Sequence, residues 1–138
     1  RILETYVAEG KVRYAFLQFP ILGQGSVRAA VAAECAGEQG KFDEYHHELF
    51  TAIQRNGPTI TAPDGLAGVA SGLGIEMQGF NACLDEGKAF DLVRADYEAA
   101  SAAGVRATPT TIINGTLHEG ARDFSFYAAR IDAALGRK

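Results

Sequence analysis

The pattern of hydrophobic and polar positions predicts a helix and then a strand at the start of the chain. Residues 2–9 repeat apolar side chains at helical spacing, and Gly10 is suited to end that helix. Residues 12–19 are apolar at nearly every position instead of at alternate ones. A continuous apolar run of this length is typical of a strand that is buried on both faces beside parallel neighbours.

The middle of the chain is helical from Ser26 to about Gly87. Ser26 is suited to cap the first of these helices. Apolar residues at helical spacing predict further helices over residues 41–54, 66–73 and 77–84. No segment of this block alternates as a half-buried strand would, so we expect a separate helical layer here.

A longer helix is predicted over residues 88–103, with Gly104 as its terminating glycine. After the segment that follows it, Asp123 or Ser125 is suited to cap a last helix. The chain therefore returns from the helical block through one long helix and ends in another.

Pro109 is the most informative position of the chain. It directly precedes a β-branched run over residues 110–113, and Asn114-Gly115 favours a two-residue hairpin turn after that run. Because proline cannot donate to a sheet ladder, it begins a strand here or marks a special backbone geometry, of which a cis peptide bond is one form. An ordinary trans proline that opens an edge strand is the alternative.

Composition places the chain among globular domains. Its 138 residues allow one hydrophobic core, and 47% apolar with 22% charged residues is an ordinary balance. A net charge of −4 and the lack of a basic cluster argue against a nucleic-acid partner. No apolar stretch is long enough to span a bilayer. The first residues already belong to the predicted helix, so we expect that the N-terminus has been cut.

Four stretches of the chain carry a family resemblance, and they are residues 10–20, 33–46, 80–84 and 104–110. Together with the order of the elements, they resemble the DsbA-like thiol–disulfide oxidoreductases over essentially the whole chain. A common family form has glycine where this chain has Ala107, which is a small departure.

The resemblance implies an α/β fold, namely a thioredoxin-like fold with an inserted helical subdomain. Residues 1–23 and 88–138 would form the thioredoxin-like part, and residues 24–87 would form the helical insertion. Against the family pattern, this chain would lack the first core strand and the Cys-x-x-Cys turn. That strand would have to come from a separate N-terminal segment or from a second copy of the chain, for example in a strand-swapped homodimer.

The absence of the dithiol bears on catalysis. Family members carry Cys-x-x-Cys at the N-terminus of their first helix, where the helix dipole lowers the thiol pKa and favours the nucleophilic thiolate. Here the only cysteines are Cys35 and Cys83, which are far apart in the sequence. We therefore expect no catalytic residue in this chain and no dithiol exchange at the usual site.

The resemblance also implies roles for four residues. Pro109 would be cis, and the Thr108 backbone would pair with an extended peptide or protein thiol substrate. Cys35 and Cys83 would form a structural disulfide, which implies an extracytoplasmic compartment such as the bacterial periplasm or cell envelope. Two buried, reduced cysteines are the alternative.

No cofactor or metal ion is expected. His46 and His47 are adjacent on a predicted helix and point about 100° apart, so they do not chelate one ion together. His118 falls on the second hairpin strand and is predicted to be solvated.

The function implied by the resemblance is the formation or exchange of disulfides in extracytoplasmic proteins. One alternative is a redox-inactive binding or assembly module with the same fold. Another is a relative that uses a serine and glutathione, although this alternative does not account for the two cysteines.

Overall fold

The computed structural model describes residues 1–136. The chain divides into two compact units. We call Arg1–Leu17 together with Ala100–Lys138 the hairpin unit, and Gln18–Ala99 the helical unit. The division of the sequence at residues 24 and 87 stays a prediction.

The described residues form six α-helices, one two-stranded sheet and two short helical turns of other types. The α-helices are α1 (Gln24–Gly37), α2 (Phe42–Asn56), α3 (Pro63–Gly72), α4 (Met77–Glu86), α5 (Lys88–Ala102) and α6 (Phe124–Ala134). The strands are β1 (Thr110–Ile113) and β2 (Thr116–Glu119). A π-helical turn covers Leu3–Val7, and a 3₁₀ turn covers Pro58–Thr61.

The helical unit is built around one aromatic pair. The side chains of Tyr45 on α2 and Phe80 on α4 are fully buried, with ring centroids 5.9 Å apart. The Tyr45 hydroxyl donates a hydrogen bond of 3.0 Å to the carbonyl of Leu66 on α3. Small residues on α1, among them Ala32 and Ala36, are completely buried and let the neighbouring helices approach closely.

Two helices begin earlier than the sequence predicts. Pro63 is the first residue of α3, where its missing N–H costs nothing because that group has no partner inside a helix. α1 starts at Gln24 after Gly23, whose carbonyl accepts from the Ser26 amide at 3.1 Å. The predicted Ser26 cap is therefore wrong, since Ser26 already lies within the first turn.

The predicted hairpin is confirmed. β1 and β2 pair antiparallel, with Thr110 opposite Glu119 and Ile113 opposite Thr116. Asn114 and Gly115 have φ values of 44° and 83°. Positive φ at both turn residues gives the backbone twist that joins two antiparallel strands through a two-residue loop.

The N-terminal segment and α6 pack against each other within the hairpin unit. Tyr6 is buried, and its hydroxyl donates to the carboxylate of Asp132 at 3.2 Å. Its ring lies 6.5 Å from that of Phe124. Asp123 caps α6, because its carboxylate accepts from the Phe126 amide at 2.9 Å.

The predicted strand over residues 12–19 is wrong. Within residues 1–136, β1 and β2 are the only paired strands. The residues expected to be buried on both faces are instead partly exposed, with Tyr14 at 50% and both Phe16 and Leu17 at 43%. A strand is held by ladder bonds to a neighbour, and no described segment supplies that neighbour.

Gln18 fixes the start of the helical unit. Its amide N–H donates to the carboxylate of Asp96, and its side-chain amide donates to Glu34, both at 2.9 Å. The next residue, Phe19, stacks on Tyr97 with ring centroids 4.8 Å apart. Gln18 is the one polar side chain of the described residues that is buried, and these bonds compensate its loss of water.

Candidate functional site

The segment from Gly104 to Thr110 is held to the end of α5. Gly104 has a φ of 93°, and the amide of the buried Val105 donates to the Ala100 carbonyl at 3.0 Å. The Arg106 guanidinium donates to the Ser101 carbonyl at 2.9 Å. These bonds position the beginning of a loop that then turns into β1.

Thr108 and Pro109 lie at the exposed part of this loop. The peptide bond between them is cis. The carbonyl of Ala107 accepts from the Thr110 hydroxyl at 2.7 Å, and the carbonyl of Pro109 accepts from the Gly120 amide at 2.8 Å. The loop is therefore fixed by hydrogen bonds on both sides of Thr108.

The backbone of Thr108 itself has no hydrogen-bond partner among residues 1–136. Its N–H and C=O belong to an exposed residue, whereas the carbonyls of both neighbouring residues are bonded. A free backbone donor and acceptor are the groups through which a bound polypeptide can pair with a protein by its main chain. Thr108 has both groups at an exposed position.

The two cysteines of the chain are joined to each other. Cys35 on α1 and Cys83 on α4 form a disulfide across a Cα–Cα distance of 5.7 Å. Their exposed fractions are 1% and 5%, and both belong to the apolar core of the helical unit. Neither sulfur is available as a thiolate, so the bond links two helices and supplies no nucleophile.

The adjacent histidines have different surroundings. The His46 ring lies between Phe42 and Phe50, with centroid distances of 5.9 and 4.8 Å. Burial lowers the pKa of His46 below its usual value, although the nearby Asp43 carboxylate opposes this shift. Within the described part of the chain, no group of three potential ligand residues could hold a metal ion.

The sequence predictions miss one cluster in the hairpin unit. His118 is half-buried and meets the Phe126 ring edge-on at 5.3 Å. The guanidinium groups of Arg122 and Arg130 also lie against Phe126. Phe126 and Arg130 are four residues apart on α6, which is a helical signal that could have indicated this pair, whereas Arg122 lies before the helix.

The matching family model is described as Thioredoxin, and it matches residues 1–133. The chain belongs to the thioredoxin family. Two of the solved structures that share its fold illustrate the similarity. One is the thiol–disulfide exchange protein alpha-DsbA2 from Wolbachia pipientis, with 25% identity, a TM-score of 0.77, and coverage of 93% of this chain and 68% of that one. The other is a thioredoxin-like oxidoreductase from Silicibacter pomeroyi DSS-3, with 22% identity, a TM-score of 0.74, and coverage of 96% and 73%.

These comparisons confirm the predicted fold class, a thioredoxin-like fold with a helical insertion, and the DsbA-like family. Among curated relatives, a probable disulfide bond formation protein D from Bacillus anthracis is 25% identical over 98% of this chain and 63% of its own length. The Na⁺/H⁺ antiporter NhaA 1 from Salinispora arenicola is 30% identical over 90% of this chain. The chain corresponds to only 19% of that antiporter and to less than two thirds of protein D. No helix between residues 1 and 136 is long and apolar enough to cross a bilayer.

Proposed function

We propose that this chain is the polypeptide-binding part of a DsbA-like thiol–disulfide oxidoreductase that acts on extracytoplasmic proteins. The observation that carries the proposal is the exposed Thr108 backbone, whose donor and acceptor are unpaired among the described residues. An extended segment of the substrate protein binds along Thr108 and Pro109 by main-chain hydrogen bonds. Such binding is independent of sequence, as an enzyme that handles many unfolded proteins requires.

Thiol–disulfide exchange needs a thiolate that attacks one sulfur of a disulfide, so that a mixed disulfide forms and the other sulfur leaves as a thiolate. In this chain both cysteine sulfurs are bonded to each other and buried. The chain by itself therefore binds substrate and does not exchange disulfides. A Cys-x-x-Cys pair has to come from a further segment. In the direction that forms disulfides, a thiolate of the substrate held at Thr108 would attack the disulfide of this pair, which is reduced as the substrate is oxidised.

The same partner segment would supply a strand. β1 pairs only with β2 among residues 1–136, and the apolar side chains of Tyr14, Phe16 and Leu17 are exposed. Unpaired strand edges and exposed apolar residues are the features that a further strand covers. We propose an N-terminal segment as this strand, or the equivalent segment of a second copy in a strand-swapped homodimer.

The proposed location is the bacterial periplasm or cell envelope. Disulfides persist in oxidising compartments, and Cys35 is bonded to Cys83 in this structure. The Bacillus relative is named as a probable disulfide bond formation protein D, and the bonds that such a protein forms persist in oxidising compartments.

Nuclear magnetic resonance with the isotopically labelled chain tests the binding. An unfolded, cysteine-free peptide is added, and the backbone amide signals are followed. We expect the largest shifts at Ala107 and Thr108, because these amides lie beside the bound main chain. Shifts confined to the helical unit, or no shifts at all, would show that the loop does not bind polypeptide.

A second candidate is a redox-inactive binding module. The buried state of the disulfide favours this candidate. The match to a protein named as an antiporter favours it as well, because the similar region is only about a fifth of the antiporter's length. The codons upstream of Arg1 in the gene distinguish the candidates. If these codons encode Cys-x-x-Cys, they support the oxidoreductase. If the two cysteine positions of that motif hold other residues, they support the binding module.

A further inference from the structure

A shallow and largely open cavity of about 370 Å³ lies on the hairpin unit beside the start of α6. It is lined by Leu117, His118 and Glu119 of β2, by Arg122, and by Phe126 of α6. The Thr108–Pro109 loop does not use these side chains, and the proposed main-chain pairing does not require them.

Two guanidinium groups surround the Phe126 ring. The guanidinium carbon of Arg130 lies 3.4 Å from the ring centroid, and that of Arg122 lies 5.6 Å from it. Arg130 also donates to the Phe126 carbonyl at 3.1 Å. Neither arginine forms an ion pair with a carboxylate of residues 1–136. A guanidinium stacked on a ring keeps in-plane N–H donors free, and these match the geometry of a carboxylate.

The carboxylates near the cavity do not neutralise the positive charges of Arg122 and Arg130. Asp123 is engaged at the helix start, where hydrogen bonds from the Phe126 amide and the Ser125 hydroxyl lower its pKa. Glu119 is then the one carboxylate of the lining, which also holds the Arg122 guanidinium. Arg130 is not part of the lining, but its guanidinium adds a second positive charge on the Phe126 ring.

The hairpin unit as a whole is positively charged, like the two arginines at Phe126. This unit has eight Lys and Arg against five Asp and Glu, a formal charge of +3. The helical unit has five against twelve, a charge of −7, and the two together give the −4 of the chain. A negative ligand is therefore attracted to the hairpin unit and repelled by the helical unit.

The cavity lies near the loop that holds Thr108, because hairpin bonds join their neighbouring residues. The Gly120 amide donates to the Pro109 carbonyl, and Glu119 lies opposite Thr110 in the hairpin. Arg122 follows Gly120 by two residues, which is at most about 7 Å of backbone. A polypeptide on the loop therefore brings its side chains within reach of the cavity.

We propose that this cavity is a subsite for an acidic side chain, Asp or Glu, of the bound polypeptide. The inference rests on the proposed function, since the loop supplies the main-chain contacts and the cavity selects among sequences. The carboxylate accepts hydrogen bonds from Arg122 of the lining, while the Arg130 guanidinium on the Phe126 ring adds positive charge beside the cavity.

Two labelled, cysteine-free peptides that differ by a single Glu→Gln exchange test the proposal by fluorescence anisotropy. We expect the Glu peptide to bind roughly tenfold more tightly, equivalent to about 1.4 kcal/mol, which is the scale of one hydrogen bond to a charged group. In the variant Arg122→Gln/Arg130→Gln this ratio should fall close to one, while the affinity for the Gln peptide stays unchanged. The control Arg55→Gln/Arg94→Gln makes the same change of charge in the helical unit and should keep the ratio.

The outcomes separate the subsite from the loop. Equal binding of both peptides to the unaltered chain would overturn the acidic subsite and leave the loop proposal intact. A preference for Glu that survives in Arg122→Gln/Arg130→Gln would also overturn it. If neither peptide binds the unaltered chain, both proposals fail. Unchanged binding of the Gln peptide shows that a variant is folded. If the double variant is unstable, the single variant Arg122→Gln takes its place in the test, because it leaves the contacts of Arg130 intact.

Discussion

Reduction of the Cys35–Cys83 bond should lower the stability of the helical unit strongly. The two residues are 48 positions apart, so the bond closes a long loop in the unfolded chain. The chain-entropy relation for a loop of this length gives about 4 kcal/mol at 25 °C. Because a whole small domain is stabilised by only about 5–15 kcal/mol, the loss would be a large fraction of the total.

The reduced chain isolates the effect of the crosslink better than a substitution does. Cys35 is 1% exposed and lies in the core beside Ala32 and Ala36. Replacement of both cysteines by alanine would remove buried sulfur atoms as well as the bond, and would add the cost of a cavity. Reduction keeps the sulfur atoms, so we expect Cys35→Ala/Cys83→Ala to be less stable than the reduced chain.

Urea unfolding followed by far-ultraviolet circular dichroism measures the difference, with and without a reductant. A loss of about 4 kcal/mol corresponds to a fall of roughly 2 M in the urea midpoint for a typical slope. A difference in unfolding free energy below about 1 kcal/mol would refute the reasoning. Closing the loop would then have little effect on the conformational entropy of the unfolded chain. Two free thiols in the unreduced, denatured chain would contradict the bond itself.

Two further predictions concern the helical unit. Gly65→Ala should destabilise it by about 1–3 kcal/mol in the same assay, because the new Cβ would overlap with the Ile60 carbonyl oxygen. The matched control Gly68→Ala has open space and should be neutral or stabilising; equal effects of both would contradict this prediction. Burial raises the pKa of the Tyr45 hydroxyl, so the folded chain keeps a proton that the unfolded chain loses above about pH 10. Stability should therefore fall as the pH rises above this value, and a Tyr45→Phe variant with an equally steep fall would show that another group is responsible.

Features that depend on neighbouring residues could be predicted from the sequence. Asn114-Gly115 determines the hairpin turn, because both residues tolerate positive φ and the strands beside them are only four residues long. The start of α3 was placed too late because its first turn, at Pro63, contains few apolar residues and so lacks a periodic signal.

Pairing between distant segments could not be predicted in this way. Residues 12–19 have the composition of a core strand, but a strand also requires a partner, and none of the described residues pairs with them. The apolar pattern shows which side chains such a segment would bury. It does not show which other segment would pair with it as the neighbouring strand.

The candidate site was only partly predictable. Thr108 and Pro109 could be singled out because a proline before a β-branched run restricts the backbone. The cavity around Phe126 was missed because it needs the hairpin and α6 to be brought together, which places His118 against a ring eight residues further along the chain. Its arginines also resemble ordinary surface charges in the sequence.

The central claim is that this chain binds polypeptide without exchanging thiols, and intact-mass measurement tests it most directly. The unreduced chain is mixed with a single-thiol peptide at a concentration that saturates the Thr108 amide shift, and the mixture is quenched with acid. We predict an unchanged mass and, after digestion, Cys35 still linked to Cys83, since both sulfurs are buried. A chain that gains the mass of one peptide through Cys35 or Cys83 would contradict the claim.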